Sequence, residues 1–167
     1  MTARQFHRSG ASAIRFAQAV AYLGQMEQRP HIDLGTERRR GERVLHVLVA
    51  DDDRDTVSTL SALLETEGHV VQAVYSGVEV LPAVRLFRPD AVILDMAIPG
   101  MSGYAIAQAI RYSFTDIRRP MLVAISGVWK EPAERIFAQH AGFDYYLVKP
   151  CDPREVLKLL AKQKKTV

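Results

Sequence analysis

The sequence predicts an α/β protein whose core is a doubly wound, five-stranded parallel sheet. From residue 44 onward, short apolar runs alternate with stretches of helical periodicity, which is the pattern of a parallel sheet with helices on both faces. The run at residues 91–94 is continuously apolar, as expected of a strand buried on both faces, and it ends in Asp95. Polar residues also follow the first, fourth and fifth apolar runs. Because open α/β sheets build their sites at the carboxyl ends of their strands, we expect a functional site there.

The bulk composition is that of an ordinary globular protein. The chain has 167 residues, of which 48% are hydrophobic and 25% are charged, so it is long enough to bury a substantial core. Its single cysteine, Cys151, cannot form an intramolecular disulfide, which fits a reducing compartment. No apolar stretch approaches the roughly 20 residues that a membrane-spanning helix needs. We therefore predict a cytoplasmic protein with no membrane partner.

The charge is unevenly distributed along the chain. Residues 1–42 hold seven arginines, no lysine and four acidic residues, a net charge of +3, whereas residues 43–167 hold 15 basic and 15 acidic residues. Within residues 11–25, helical spacing places five apolar residues on one side: Ala13, Phe16, Ala17, Val20 and Leu23. We predict two units, a basic N-terminal extension at 1–42 with one amphipathic helix and a linker, and a folded domain at 43–167.

The N-terminal extension leaves several roles open. Its Arg-rich, acid-poor start also resembles an organellar transit peptide. The linker at residues 29–43 contains the run Arg38-Arg39-Arg40, which could contact nucleic acid, but no aromatic residues interleave with it. A solvated linker is therefore favoured, and a nucleic-acid partner is not expected. Because an isolated helix of this length is marginal in water, its apolar side is expected to dock on its own domain or on a second copy, as in a weak homodimer.

The first half of the domain predicts two strand-helix units. Strand one at residues 45–50 and strand two at residues 70–75 are apolar runs. Helix one covers residues 54–67 and ends before Gly68. Its predicted sheet-facing side chains are Val57, Leu60, Leu63 and Leu64. Pro82 lies in the next helix, which is expected to start late or to kink because proline is tolerated only near the first turn.

The second half of the domain predicts three further units. In order they are strand three at 91–94, helix three at 104–112, strand four at 121–125, helix four within 132–140, strand five at 145–148 and helix five at 153–162. A polar loop at residues 116–120 returns the chain from helix three to strand four. The alternation therefore accounts for five strands and five helices, with no internal repeat or low-complexity tract.

Acidic residues follow two of the predicted strands. Asp51-Asp52-Asp53 follows strand one, and Asp95 follows strand three. Three carboxylates held within a few ångströms cannot all stay ionised unless a cation shares the site, because each raises the pKa of the others. Lys149 after strand five and one divalent ion would balance three such charges. Oxygen ligands at an open, water-rich rim suit Mg²⁺, although one of the consecutive acids, most simply Asp53, could cap helix one instead.

Four motifs make the sequence resemble the receiver domain of two-component response regulators. They are the acidic cluster at 51–53, Asp95 with its tail IPGMSG at 98–103, Ser126, and DYYLVKP at 144–150. They occur in the order and spacing of that family, and the resemblance covers roughly residues 44–162. It implies a flavodoxin-like (βα)5 fold with strand order 2-1-3-4-5. It also implies a protein that is not an enzyme with a separate catalytic domain, but one that takes part in its own phosphotransfer and autodephosphorylation.

The resemblance implies roles for the residues of the rim. Asp95 would be the phosphoacceptor, a nucleophile that takes a phosphoryl group from a histidine of a sensor kinase or of a phosphotransfer protein. Asp52, Asp95 and the backbone carbonyl of Met96 would bind Mg²⁺ directly, and Asp51 would act through water. Lys149 would pair with Asp95 and then with a phosphoryl oxygen.

The resemblance also implies a conformational switch. The Ser126 hydroxyl would donate to a phosphoryl oxygen, and Tyr146 would swing inward as that hydroxyl moves, although Tyr145 beside it leaves the strand register open. The face formed by helix four, strand five and helix five would bind a downstream protein partner. Ala97 and Val128 stand at the positions that tune phosphoryl lifetime in the family. Since neither can orient an attacking water, slow autodephosphorylation is expected.

Three classes of function compete. The favoured class is a stand-alone phosphorylation switch whose output is partner binding, with the receiver portion of a hybrid histidine kinase as a variant. A DNA-binding regulator would have to act through the basic arm, because the 18 residues after Lys149 suffice for one helix. An aspartate-nucleophile phosphatase of the haloacid dehalogenase type needs a second Asp two positions after the first, where Ala97 stands.

Overall fold

The computed structural model describes residues 43–114, 118–127 and 132–163. Within these ranges, five strands and five helices alternate along the sequence. The helix predicted within residues 11–25 lies outside the described residues, as do the predicted linker up to residue 42 and Val128. The division into an N-terminal extension and a folded domain therefore stays a prediction.

The strands form one parallel sheet of the predicted fold class. Their bounds are β1 His46–Ala50, β2 Val70–Val74, β3 Ala91–Asp95, β4 Met121–Ser126 and β5 Tyr145–Val148. The helices are α1 Arg54–Thr66, α2 Gly77–Phe87, α3 Gly103–Ser113, α4 Pro132–Ala141 and α5 Pro153–Gln163. The sheet order is β2-β1-β3-β4-β5, and every neighbouring pair is parallel, which confirms the order that the resemblance implies.

Two hydrophobic layers cover the sheet. One layer contains the buried side chains of α1 and α5, and the other contains those of α2, α3 and α4. All five residues of β3 are buried, and they alternate between the layers: Val92 and Leu94 face α2–α4, whereas Ala91 and Ile93 face α1 and α5. Burial on both faces is why this strand is a continuous apolar run in the sequence. Among the α1 side chains predicted to face the sheet, Leu63 is half-buried and the others are buried.

Helix ends follow local capping chemistry. The Asp53 side chain caps α1 by accepting a hydrogen bond from Asp55 N at 3.0 Å. Gly68, with a φ of 82°, follows the end of α1 in the left-handed conformation that favours glycine. Ser102 caps α3 by accepting from Ala105 N at 3.3 Å. None of the described helices combines the length and the apolar composition that crossing a bilayer requires.

Helix α2 excludes one of the two alternatives predicted for Pro82. It does not start late: it begins at Gly77, and Pro82 lies in its interior. A kink at Pro82 stays a prediction. Because proline has no N–H, the carbonyl of Val78 lacks its usual intrahelical donor. The buried contacts of Val80 and Val84 hold the helix against the sheet on either side of the proline.

Asp90 joins β1 to the loop before β3 on the side where the strands begin, which we call the amino edge. Its carboxylate accepts hydrogen bonds from His46 N at 3.0 Å and from Arg43 Nη2 at 2.8 Å. Arg118 Nη1 lies 3.7 Å from the same carboxylate. This aspartate therefore has both a backbone donor and cationic partners.

Arg111 also connects separate segments at the amino edge. Its side chain is 3% exposed, and it donates to the Gly142 carbonyl at 2.7 Å and to the Pro120 carbonyl at 2.7 Å. It also donates to Asp144 Oδ2 at 2.6 Å, and this oxygen accepts from Leu122 N at 2.7 Å. Burial lowers the pKa of Arg111, and the charge of Asp144 opposes that change. Arg111 therefore binds the end of α3 to the starts of β4 and β5.

Candidate functional site

Three aspartates meet where the strands end, which we call the carboxyl rim. One carboxylate oxygen from each of Asp51, Asp52 and Asp95 lies within 4.8 Å of the others. Because β1 and β3 are neighbours, Asp51 directly after β1 and Asp95 at the end of β3 come side by side. Asp51 and Asp95 are buried, whereas Asp52 is exposed. The cluster is therefore open to solvent on one side, as a ligand site must be.

Lys149 brings a cation to the cluster from the end of β5. Its Nζ lies 2.6 Å from Asp51 Oδ2 and 3.5 Å from Asp95 Oδ2. The resemblance pairs Lys149 with Asp95, and the structure places it closer to Asp51 while keeping it within ion-pair distance of both. Its backbone N–H donates to the Ser126 carbonyl at 2.8 Å. This bond fixes Lys149 relative to β4.

The charges of the site perturb one another. Burial raises the pKa of Asp95; the charge of Lys149 opposes that rise, and the charge of Asp51 adds to it. Burial alone would lower the pKa of Lys149, but its hydrogen bond to Asp51 and the charges of Asp51 and Asp95 outweigh burial and raise it. Lys149 is therefore protonated at neutral pH. Three ionised carboxylates and one ammonium leave two negative charges, which one divalent cation would balance.

The donor set fits a magnesium ion. Mg²⁺ binds hard oxygen ligands, usually one or two carboxylates together with several waters. Asp51, Asp52 and Asp95 supply carboxylates, and the exposed side of the cluster gives access to water. The Met96 carbonyl, which directly follows Asp95 in the chain, stays a predicted ligand.

The Asp53 side chain forms hydrogen bonds with the first turn of α1. Its carboxylate accepts hydrogen bonds from Asp55 N at 3.0 Å and from the Thr56 hydroxyl at 2.9 Å. Burial would raise the pKa of Asp53, but these hydrogen bonds outweigh it and lower the pKa. The alternative that this acid caps the helix is confirmed, and the other two consecutive acids form the cluster.

Ser126 and Tyr146 lie on the two strands beside the cluster. Ser126 is the last residue of β4, is fully buried, and lies one residue beyond the β4 partner of Asp95. Tyr146 pairs in register with Ala124, and its ring packs in the layer of α2–α4. Tyr145 packs in the layer of α1 and α5. The open register is thus resolved, and Tyr146 is the tyrosine on the α4 side of the sheet.

The β3–α3 loop, residues 96–102, is held by two neighbouring elements. Met96 N donates to the Ile125 carbonyl of β4 at 3.0 Å. Gly77 N, at the start of α2, donates to the Pro99 carbonyl at 2.8 Å. The role of Gly77 was missed in the sequence, because it depends on a contact between segments that are distant along the chain.

The sequence matches a family model and is similar to several known proteins. The family model described as response regulator receiver domain matches residues 47–161. The response regulator MprA of Mycobacterium ulcerans (strain Agy99) is 34% identical over 113 residues, which cover 68% of this chain and 47% of that protein. The DNA-binding response regulator MtrA of Mycolicibacterium paratuberculosis (strain ATCC BAA-968 / K-10) is 31% identical over 111 residues, 66% of this chain and 47% of that protein. The chain spans about half the length of these curated relatives.

Solved structures share the fold. The chemotaxis response regulator CheY4 of Vibrio cholerae has a TM-score of 0.63 and 26% identity, with 72% of this chain and 99% of that chain covered. A CheY-like response regulator receiver domain protein from Methanospirillum hungatei JF-1 has a TM-score of 0.65 and 21% identity, with 72% and 94% covered. The second likeness bears on the fold alone.

Proposed function

The chain belongs to the response regulator receiver domain family, and on that premise we propose that it is a phosphorylation-dependent switch of two-component signalling. The observation that carries the proposal is the buried Asp95 at the end of β3, beside Asp51, Asp52 and Lys149. A sensor histidine kinase or a histidine phosphotransfer protein would supply the phosphoryl group. The reaction is the transfer to Asp95 itself, so no separate catalytic domain is required.

Asp95 acts as the nucleophile. One of its carboxylate oxygens forms a bond to phosphorus as the bond from phosphorus to the donor histidine nitrogen breaks, and that nitrogen keeps the electron pair. Ala97 N donates to Asp95 Oδ1 at 3.3 Å, and Lys149 Nζ lies 3.5 Å from Oδ2, so both oxygens have a partner that orients them. Burial raises the pKa of this carboxylate and thereby its basicity toward the phosphoryl group.

Charge neutralisation makes the transfer feasible at an acidic rim. When bound, Mg²⁺ supplies positive charge that offsets repulsion between the cluster and the phosphoryl oxygens. Its proposed ligands are Asp52, Asp95 and the Met96 carbonyl, with Asp51 acting through water. Lys149, which already lies between two carboxylates, turns its ammonium group toward a phosphoryl oxygen. These residues position and neutralise the group that Asp95 receives.

Ser126 and Tyr146 pass the change to a protein-binding face. The Ser126 hydroxyl donates to a phosphoryl oxygen, and Tyr146 moves inward as that hydroxyl shifts. Helix α4 and strand β5 expose three apolar side chains, Ile136, Phe137 and Val148. Ile136 and Phe137 are consecutive in α4, and exposed apolar patches favour protein interaction. The face formed by α4, β5 and α5 would therefore bind the downstream partner in one phosphorylation state.

The class of partner is the second element of the proposal. The match to the DNA-binding relative covers 47% of that protein, so its DNA binding does not follow for this chain from the match. We propose a protein partner and a cytoplasmic location, and we keep DNA binding through residues 1–42 as the second hypothesis. The receiver portion of a hybrid histidine kinase would use the same carboxyl rim.

Amide chemical shifts test the switch. A phosphoryl mimic added with Mg²⁺ should shift resonances of α4, β5 and α5 in the wild type and leave them unchanged in Asp95→Asn. Ser126→Ala should show weaker shifts on that face, whereas Ser58→Ala, an exposed serine of α1, should behave like the wild type. Undiminished shifts in Ser126→Ala would refute the coupling. An unresponsive wild type would refute the switch itself.

A further inference from the structure

The junction between β2 and α2 is bonded to the β3–α3 loop. Gly77 N donates to the Pro99 carbonyl at 2.8 Å, and the Ser76 hydroxyl donates to the same oxygen at 3.3 Å. Gly77 is buried and is the first residue of α2. Two hydrogen bonds to one carbonyl thus hold the middle of a loop whose first residue is Met96.

A side chain at position 77 would not fit. A Cβ atom built there would lie 2.5 Å from Met101 O and 2.8 Å from Met101 N, closer than real Cβ atoms approach a backbone. Among the described residues, three other glycines have positive φ: Gly68, Gly100 and Gly142. Gly77 is not one of them, so its backbone conformation would accept an alanine. The glycine is required by the space beside Met101.

A second glycine closes the loop at its other end. A Cβ atom on Gly103, the first residue of α3, would lie 2.7 Å from Met96 Sδ and 3.1 Å from Met96 Cα. Met96 is buried, and its N–H donates to the Ile125 carbonyl at 3.0 Å. The backbone of Met96 is therefore enclosed between β4 and the start of α3, while α2 closes on the loop through Gly77.

We propose that Gly77 is a positioning residue for the metal site. By letting α2 close on the β3–α3 loop, it sets where the Met96 carbonyl stands beside Asp95, and thereby the affinity for Mg²⁺. The inference rests on the proposed function, because it takes Met96 and Asp95 as ligands. Groups that orient ligands from outside the coordination sphere commonly control metal affinity. A displaced loop would remove one oxygen ligand while the carboxylates of Asp51 and Asp52 stay in place.

A purely structural role for Gly77 has a different signature. Alanine forms helices better than glycine, so the substitution by itself favours α2. If Gly77 served only to avoid a clash, Gly77→Ala would lower the stability of the metal-free protein and leave the Mg²⁺ affinity of folded molecules unchanged. If Gly77 positions the loop, the affinity of the folded protein falls.

Calorimetric titration of the full chain with Mg²⁺ distinguishes these roles. We expect Gly77→Ala to raise the Mg²⁺ dissociation constant by about tenfold. Gly103→Ala should cause a smaller rise, because the end of the Met96 side chain can move aside. Gly68→Ala is the control: a φ of 82° strains an alanine there, but nothing lies within 4 Å of its Cβ. It should lose thermal stability without Mg²⁺ and keep the wild-type affinity.

The outcomes separate the inference from the proposed function. Wild-type affinity in folded Gly77→Ala, or an equal loss of affinity in Gly68→Ala, overturns the positioning role. If Gly77→Ala does not fold, Gly103→Ala and Ser76→Ala decide, since Ser76→Ala removes one bond to Pro99 without a clash. Wild-type affinity in both overturns the role. A wild-type protein that binds no Mg²⁺ instead contradicts the proposed ligands.

Discussion

The amino edge and the carboxyl rim of the sheet differ in the balance of charge around their aspartates. At the amino edge, Asp90 and Asp144 each accept hydrogen bonds from a backbone N–H and from an arginine. At the carboxyl rim, three aspartates lie together, and Lys149 is the one ammonium group among the described residues that pairs with two of them, Asp51 and Asp95. Each carboxylate of the amino edge is matched by an arginine, whereas the rim holds three carboxylates and one ammonium group, so negative charge is in excess there.

The difference shows where stability and ligand binding reside. Carboxylates with matched donors stabilise the loops of the amino edge, because charge-assisted hydrogen bonds are among the stronger ones in proteins. At the rim, burial and the charge of Asp51 raise the pKa of Asp95, so its ionised form destabilises the metal-free fold. A loss of stability of this kind is common at positions where the residue is required for function. Substitutions that remove these charges should therefore lower the free energy of unfolding at the amino edge and raise it at the carboxyl rim.

Arg111→Met should cause the largest loss of stability. The carbonyls of Gly142 and Pro120 lose a donor, and Asp144 loses its cation. We expect the free energy of unfolding, measured by urea denaturation, to fall by about 3 kcal/mol. Arg85→Met is the control, because Arg85 lies over an aromatic ring at 4.8 Å, a contact worth about 0.5–1 kcal/mol at an exposed site. Equal losses in the two variants would contradict the role of Arg111.

Asp95→Asn should act in the opposite direction. It removes a buried negative charge from the cluster while keeping the shape of the side chain. With a chelator present, we expect the free energy of unfolding to rise by about 1 kcal/mol. Mg²⁺ should raise the melting temperature of the wild type and have little effect on the variant. Asp90→Asn, the same substitution at the amino edge, should destabilise. If both substitutions shifted stability the same way, the two edges would not differ as described.

In the metal-free protein, Asp95 should have a smaller effect on how the free energy of unfolding depends on pH. Since burial raises its folded pKa above the ordinary 3.8, the folded state holds this proton more tightly than the unfolded state. The contribution of Asp95 to the free energy of unfolding should therefore fall as the pH rises from 3.8 toward the folded pKa. This fall should be absent from Asp95→Asn. Superimposable profiles of unfolding free energy against pH for the wild type and this variant would contradict the contribution of Asp95. Lys149 has a raised pKa, so its stabilisation is present at neutral pH and lost as the pH rises beyond 10.5.

Removal of the N-terminal extension should have the smallest effect on either edge. A chain starting at Glu42 should keep the labelling rate of Asp95 and its dependence on Mg²⁺, because the family match lies at residues 47–161. Any dimerisation seen by sedimentation should weaken, since the apolar stripe of Phe16, Val20 and Leu23 is gone. Unfolding or loss of labelling would show that the extension belongs to the domain.

Sequence periodicity predicted the strands and helices, whereas the strand order 2-1-3-4-5 came from the family resemblance. Strands buried on both faces leave continuous apolar runs, as at residues 91–94, and their ends could be placed to within a residue. Of the two alternatives predicted for Pro82, the late start of α2 is wrong, because the rule for proline is local, whereas the burial of Val80 and Val84 against the sheet is tertiary. Packing outweighed the cost of the proline.

The site was predictable in its members but not in its distances. Strand-end positions bring Asp51, Asp95 and Lys149 to one rim, as the order of motifs predicts. Lys149 Nζ lies 2.6 Å from Asp51 and 3.5 Å from Asp95. This difference depends on side-chain conformations, which the sequence does not predict. The contact of Gly77 with Met101 likewise joins segments that only the folded chain brings together.

Intact-mass measurement with a small phosphodonor tests the assignment of Asp95 most directly. Wild-type protein in Mg²⁺ should gain the mass of one phosphoryl group, and a chelator should abolish the gain because the acidic cluster then repels the donor. Asp95→Asn should gain nothing in either condition, while Asp90→Asn, at a partly buried aspartate of the amino edge, should label like the wild type. Equal labelling of wild type and Asp95→Asn, or labelling that persists with the chelator, would contradict phosphorylation of Asp95 at a Mg²⁺-dependent rim.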